Sequence, residues 1–292
     1  MTKTITIQSF AKINWMLRIL GIRDDGYHDL ETIFQSISLS DTLQIETADE
    51  FTFHCDEPSI PGGEANLVVK AYRLMKEELD LPPVRITLQK RIPAGGGLGG
   101  GSSNAAAAIR ALVPFADRSP ASSRLAEIAL ELGSDVPFFL HGGAAYGKGR
   151  GELLTRLPDP PGIPLLLLLP EERISTAEAF RLLDERRKSA KVDLEPSGAD
   201  ATFRMMLELG FQDAGRLLEN DFEPVIFGQH PHFAVLRESL VREGAFWARM
   251  SGSGSTIAGA FPDLATRDHA CEVLRKEVNV VTAETIRRAE AL

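Results

Sequence analysis

Six glycines in seven positions, Gly95-Gly96-Gly97-Leu98-Gly99-Gly100-Gly101, run into Ser102, Ser103 and Asn104 and form the most distinctive stretch of this 292-residue sequence. Residues without a Cβ let a loop turn its N–H groups inward and approach a bulky anion closely. A strand-like stretch, Val84-Arg85-Ile86-Thr87-Leu88, comes before the run, with Lys90, Pro93 and Ala94 in between, and an alanine-rich helical stretch over 104–112 follows. The start of a helix adds unpaired N–H groups and the positive end of its dipole. Strand, glycine loop and helix in that order read as a phosphate cradle rather than a surface linker.

Three common cradles do not fit. Gly95, Gly97 and Gly100 satisfy the spacing of the dinucleotide fingerprint, but the acidic residue that should follow a second strand about 20 residues on is replaced by a loop over 114–120. The mononucleotide P-loop needs a lysine directly after its glycines, and none is there. Neither H-R-D nor D-F-G of the protein kinases occurs.

Three further segments carry chemistry, each beside a plainer reading. Ala11-Lys12-Ile13-Asn14 follows the first predicted strand, where a lysine is commonly just solvated. Asp24-Asp25-Gly26-Tyr27-His28 places an aromatic ring and an imidazole on a turn signal, and also reads as a hairpin turn alone. Gly133-Ser134-Asp135-Val136-Pro137 sets one carboxylate among small and apolar residues, either as a reactive group or as the cap of a following helix.

Net charge of −9 and a pI near 5.3 argue against nucleic-acid or membrane-surface partners. Cys55 and Cys271 lack C-x-x-C spacing and suit a reducing compartment. The N-terminus alternates like a strand without an apolar signal core, and the longest apolar run, 165–169, is too short to cross a bilayer. A cytoplasmic protein is expected, with no membrane and no nucleic acid among its partners.

The order of Lys12-Ile13-Asn14, the loop 93–103 and Gly252-Ser253-Gly254-Ser255 resembles the three motifs of the GHMP kinases, the galacto-, homoserine, mevalonate and phosphomevalonate kinase superfamily. Gly26-Tyr27-His28 with 95–104 and 133–139 narrows the likeness to members that phosphorylate a cytidine-diphosphate-linked alcohol in isoprenoid precursor synthesis. The resemblance covers nearly the whole chain. It departs at Trp15, where a smaller apolar residue is common, and in the basic run Gly147-Lys148-Gly149-Arg150-Gly151.

The resemblance implies ATP as phosphoryl donor with Mg2+, and a small-molecule alcohol as acceptor. Asp135 would take the hydroxyl proton, and Lys12 would offset charge on the transferring group. ATP would lie on Lys90, Pro93, Ala94, Gly95, Gly96, Gly97, Leu98, Gly99, Gly100, Gly101, Ser102 and Ser103, with Lys90 beside the base. Tyr27 and Phe180 would flank the cytosine, His28 would read its edge, and Asn14 would sit at the acceptor end. Phe180 reads equally well as core. No metal ligand is assigned, His230 and His232 are placed in a loop without a metal role, and monomer and homodimer both stay open.

Positioning these residues requires a mixed α and β chain. A strand and hairpin region over 4–53 is expected, then a helix over 65–79, a strand over 84–92 and helices over 104–112 and 123–132, the last with serines at its start and Gly133 at its end. A proline-rich stretch, 157–164, marks the boundary. Beyond it come a strand over 165–169, helices over 176–188, 199–218 and 264–277, a strand–loop–strand around Gly252-Ser253-Gly254 and a short terminal strand. The fold class is α+β with two domains. By resemblance these are an N-terminal ribosomal-protein-S5-like domain over 1–157, carrying the loop, Lys12 and Asp135, and a C-terminal ferredoxin-like α/β domain over 158–292.

Overall fold

A computed structural model describes residues 3–118, 120–188, 198–211 and 217–292. Two long strands, β1 (Thr4–Ile22) and β2 (His28–Thr47), pair antiparallel along their whole length, and the turn between them is closed by the Arg23 N–H donating to the Tyr27 carbonyl. The register shifts between Phe10 and Lys12 and again between Asn14 and Met16. Such bulges bend a strand and re-aim its side chains; here they bracket Lys12 and Asn14, which are both almost fully buried.

The other edge of β2 is shared end to end. Its residues 30–35 pair with β5 (Ala144–Gly149), which carries β6 (Leu153–Arg156). Its residues 42–47 pair with β4 (Val84–Gln89), beside which β3 (Thr52–Cys55) runs parallel. Between the two pairings lies the stretch 36–41, and the glycine loop leaves β4 next to it. Helices α1 (Leu67–Leu79), α2 (Gly100–Leu112), α3 (Ser122–Leu132) and α4 (Val136–His141) cover this sheet around a core of Ile45, Ile86, Tyr72, Ile109 and Phe138. The alanines 105–108 of α2 are all buried, and their small size lets the helix lie close to β1.

The second sheet is antiparallel, in the order β10 (Asn279–Glu284), β7 (Pro164–Leu169), β9 (Ile257–Ala260), β8 (Trp247–Met250). Around it lie α5 (Thr176–Lys188), α6 (Ala199–Leu209), α7 (Glu223–Gln229), α8 (Pro231–Arg242), α9 (Leu264–Leu274) and α10 (Arg288–Ala291). After its opening Pro164, strand β7 is leucine at every position because both faces are covered. Leu165 and Leu167 pack with Ile13 and Trp15 of β1, and Leu166 and Leu168 with Phe222, Phe233 and Leu240. Trp15 meets Trp247 edge-on with ring centroids 4.7 Å apart, and the Trp247 indole N–H donates to the Trp15 carbonyl.

Several boundaries differ from the sequence expectation. Strand 84–92 stops at Gln89, because the N–H groups of Arg91 and Ile92 go to the Asp41 carboxylate instead of a ladder. Helix α2 starts at Gly100, four residues before the expected 104, so the last glycines and both serines form its first turn behind Gly99 in the left-handed region. The serines of α3 make no capping hydrogen bond, although the Gly133 N–H does close the other end on the Ala129 carbonyl. The helix expected to Glu277 ends at Leu274. His230-Pro231-His232 is no loop: Pro231 opens α8, where its fixed φ and missing N–H suit the first turn. The hairpin β5–β6, α7 and α10 had no counterpart in the expectation. The helix expected over 199–218 ends at Leu209, where the Gly210 N–H closes on the Met206 carbonyl; its positions 212–216, like position 119 of the expected loop, lie outside the described residues.

Candidate active site

Lys12, Asn14 and Asp135 converge where the two sheets meet. The Lys12 ammonium donates to the Asn14 side-chain oxygen at 2.6 Å and stands 3.9 Å from the Asp135 carboxylate. Asn14 is fixed in turn by donating to the Thr32 hydroxyl, which donates to the Met16 carbonyl, both at 2.7 Å. Burial pushes the Lys12 ammonium below the usual lysine range, and the nearby Asp135 charge offsets only part of that. Asp135 precedes α4 yet makes no capping hydrogen bond: Pro137, two positions on, has no N–H to offer, and the Val136 N–H goes to the Gly133 carbonyl. Its carboxylate faces the cleft and keeps 35% of its surface.

The glycine loop separates two clefts. One, of about 460 Å³, is lined by Lys12, Asn14, Tyr27, His28, Asp135 and Phe180, with Arg150, Phe222 and Ser253. The other, of about 340 Å³, is lined by Lys90, by 93–102 and by Ile60, Asn66 and Leu67. Gly97 and Gly99 line both. The loop is pinned by the Lys12 N–H on the Leu98 carbonyl, by the Ser251 hydroxyl on the Gly97 carbonyl at 2.9 Å, and by the Thr256 N–H on the Gly96 carbonyl. At Gly97 (φ +74°) a Cβ would lie 2.0 Å from the Ser251 carbonyl oxygen, and at Gly99 2.6 Å from the Phe139 ring. Only glycine permits this approach.

At the far end of the larger cleft, His28 stacks on Phe180 with centroids 4.2 Å apart and shares a 2.9 Å hydrogen bond from Nε2 with Asp184. Phe180 touches Phe222 edge-on, so one ring belongs to cleft wall and core alike. Tyr27 is half exposed, and the Arg150 guanidinium lies 3.9 Å over its ring and donates to the Ser134 hydroxyl at 3.0 Å.

All the residues given a catalytic, ATP or substrate role from the sequence therefore line one cleft or the other, except Ser103. Its hydroxyl donates to the Phe10 carbonyl at 2.6 Å and lies within 2.7 Å of the Ser9 hydroxyl, turned to β1. The Lys90 ammonium is on the cleft wall but paired with Asp41 and donating to Asn104. Arg150 was visible only as an excess of charge in its segment. Asn220 carried no signal: its amide donates to the Met250 and Gly252 carbonyls, holding the 250–252 turn against Lys12 and Asn14. Partners so distant in sequence leave no local pattern.

A cradle beside a cleft with a facing carboxylate and buried lysine is the geometry of a small-molecule kinase. Residues 66–143 match the profile of the GHMP kinases N terminal domain and residues 200–280 that of the GHMP kinases C terminal. The chain belongs to the GHMP kinase family. A relative from Solibacter usitatus, named 4-diphosphocytidyl-2-C-methyl-D-erythritol kinase, is 42% identical over 279 residues, covering 94% of this chain and 87% of that protein. A crystal structure of 4-(cytidine 5'-diphospho)-2C-methyl-D-erythritol kinase superposes with a TM-score of 0.81 at 33% identity, over 96% of this chain and 98% of that one. A mevalonate kinase shares the fold at a TM-score of 0.76 but only 15% identity, over 97% and 99% of the two chains.

Proposed function

We propose that this chain transfers the γ-phosphoryl group of ATP to the 2-hydroxyl of 4-diphosphocytidyl-2-C-methyl-D-erythritol, giving the 2-phosphate and ADP in the non-mevalonate route to isoprenoid precursors. The observation that carries the reading is the pair of clefts meeting at Gly97 and Gly99, with Lys12 and Asp135 at the meeting point. Relatives and the aligned crystal structure bearing that substrate's name support the acceptor.

The nucleotide occupies the smaller cleft, where the first N–H groups of α2 face its phosphates. The alcohol occupies the larger one. Asp135 accepts the hydroxyl proton as the oxygen bonds to the γ-phosphorus and the bond from that phosphorus to ADP breaks; the proton then leaves Asp135 for solvent. Positioning and charge stabilisation carry most of such a transfer. Lys12, dry and held by Asn14, presents its charge where the phosphoryl group passes.

Mg2+ would accompany ATP, held by the substrate phosphates and one or two protein oxygens. No group of three or more His, Cys, Asp or Glu fit for a metal occurs among the described residues, so that mode suits the site better than a protein cage. Ser102, on the wall of the smaller cleft, would offer a hydroxyl oxygen to hold it, leaving the Asp135 carboxylate to accept the hydroxyl proton. When bound it would neutralise charge on the β and γ oxygens.

At the base end, the Asp184 carboxylate accepts from His28 Nε2, which leaves Nδ1 to meet the edge of the cytosine. Tyr27 and Phe180 offer the flat surfaces, and Arg150 places a cation beside the path of the diphosphate. Tyr27→Ala should raise the KM for the cytidylated alcohol about tenfold or more, given base stacking worth about 1–3 kcal/mol, and leave the KM for ATP unchanged. The deciding assay incubates the protein with ATP and the cytidylated alcohol, mevalonate or homoserine. Phosphorylation of mevalonate or homoserine alone would sink the assignment and spare the family.

A further inference from the structure

The stretch of β2 between its two strand pairings ends at Asp41, whose carboxylate is fully buried. One oxygen accepts the Arg91 and Ile92 N–H groups at 2.6 and 2.8 Å. The other accepts the Asn104 amide at 2.8 Å and the Lys90 ammonium. Four donors saturate the carboxylate, and they come from both flanks of the glycine loop: Lys90, Arg91 and Ile92 lead into it, and Asn104 follows it in α2. Asn104 also donates to the Ser9 hydroxyl and accepts from Lys90 at 3.2 Å, so β1 is tied into the same knot. A buried carboxylate costs free energy unless it is fully paired. The catalytic scheme above makes no use of Asp41, and the core gains nothing from its charge.

We propose that Asp41 is a positioning residue for the nucleotide. It fixes the distance between the two ends of the glycine loop and holds the Lys90 ammonium in the wall of the smaller cleft, so it governs ATP binding without touching ATP. The inference rests on the kinase reading for its setting. It predicts a split: nucleotide affinity depends on Asp41, whereas the alcohol cleft meets the loop only at Gly97 and Gly99, where the loop is held by the Ser251 hydroxyl and the Lys12 N–H and not by Asp41.

Asp41→Asn keeps the shape and the acceptor for the Arg91 and Ile92 N–H groups, but turns an amide donor toward Lys90 and Asn104. Calorimetric titration with a non-hydrolysable ATP analogue should show a Kd raised at least about tenfold, as expected for losing a charge-assisted hydrogen bond. The KM for the alcohol, and kcat at saturating ATP, should stay within about threefold. The double variant Asp41→Asn with Asn104→Asp returns a carboxylate to Lys90 from the opposite side, and should recover most of the affinity. An unchanged analogue Kd in folded Asp41→Asn overturns the proposal. So does a joint rise of both KM values, or a folded double variant that binds no better than the single one. If neither variant folds, Asp41 serves folding alone and the proposal falls. The titration uses no alcohol, so it survives a different acceptor; a wild-type protein that fails to bind the analogue would instead remove the kinase reading itself.

Discussion

At the scale of single residues, Asp135 and Lys12 are held for opposite reasons. Asp135 gives up a helix-capping role and stays partly open to the cleft. General-base catalysis contributes about 10²- to 10⁴-fold, so Asp135→Asn should lower kcat by that order while ATP affinity holds within a few-fold; a variant keeping more than about a tenth of wild-type turnover would contradict the role. Lys12 is buried at a cost, which is why its ammonium lies below the usual range. Lys12→Met should therefore lower turnover by roughly 10²-fold or more while raising the unfolding free energy by about 1 kcal/mol or more. The sign with pH follows from the depressed value. Below it, folded and unfolded chains both carry the proton and the full cost of burial is present. As pH rises toward the ordinary lysine range near 10.5, the folded state sheds its proton first and the cost is relieved. The stability advantage of Lys12→Met in denaturant melts should thus shrink between neutral pH and pH of about 10; a variant less stable than wild type at neutral pH would show that Lys12 supports the fold.

At the scale of elements, the glycine loop is a wedge between the 251–256 turn and α4. Gly97→Ala should cost about 1–2 kcal/mol for the left-handed backbone alone, and more for the contact with Ser251. ATP affinity should fall with it, whereas Gly228→Ala in α7, with open space around it, should leave both intact. Equal melting and equal ATP binding for Gly97→Ala and wild type would mean that the loop does not need to lie so close. Much at this scale was legible in the sequence. The hairpin turn at Asp25-Gly26, the helix expected over 65–79 and the leucine run of β7 are set by neighbours a few residues away. Harder to foresee were the end of β4 and the start of α2. Asp41, about 50 residues earlier in the chain, takes the N–H groups that would have extended β4, and Gly99 lets the helix begin within the glycine run. At the site, Lys12, Asp135 and Tyr27 were readable because they sit in recognisable local segments. Asn220 and Asp41 act only through partners brought by tertiary folding, and no periodicity marks them.

At the scale of the whole molecule, the proposed division at 157/158 cuts a continuous core. Ile13, Trp15 and Ile33 on one side pack with Leu165, Leu167, Phe203 and Trp247 on the other. The Asp221 carboxylate accepts the Ile19 N–H, and the chain's end returns to the first sheet through the Ile286 N–H on Ser36 and the Arg288 guanidinium on Ala144. Residues 1–157 expressed alone should therefore lack a cooperative thermal transition, and a sharp melt of that fragment would establish it as an independent unit. The tryptophans add a practical property. The sequence has two, and both lie buried and in contact at the seam between the sheets. All indole emission thus originates from one place. The folded protein should fluoresce at short wavelength, and any ligand or denaturant that loosens the seam should shift the spectrum to the red before the helices unwind. The protein carries its own unlabelled optical gauge of whether its two halves are joined.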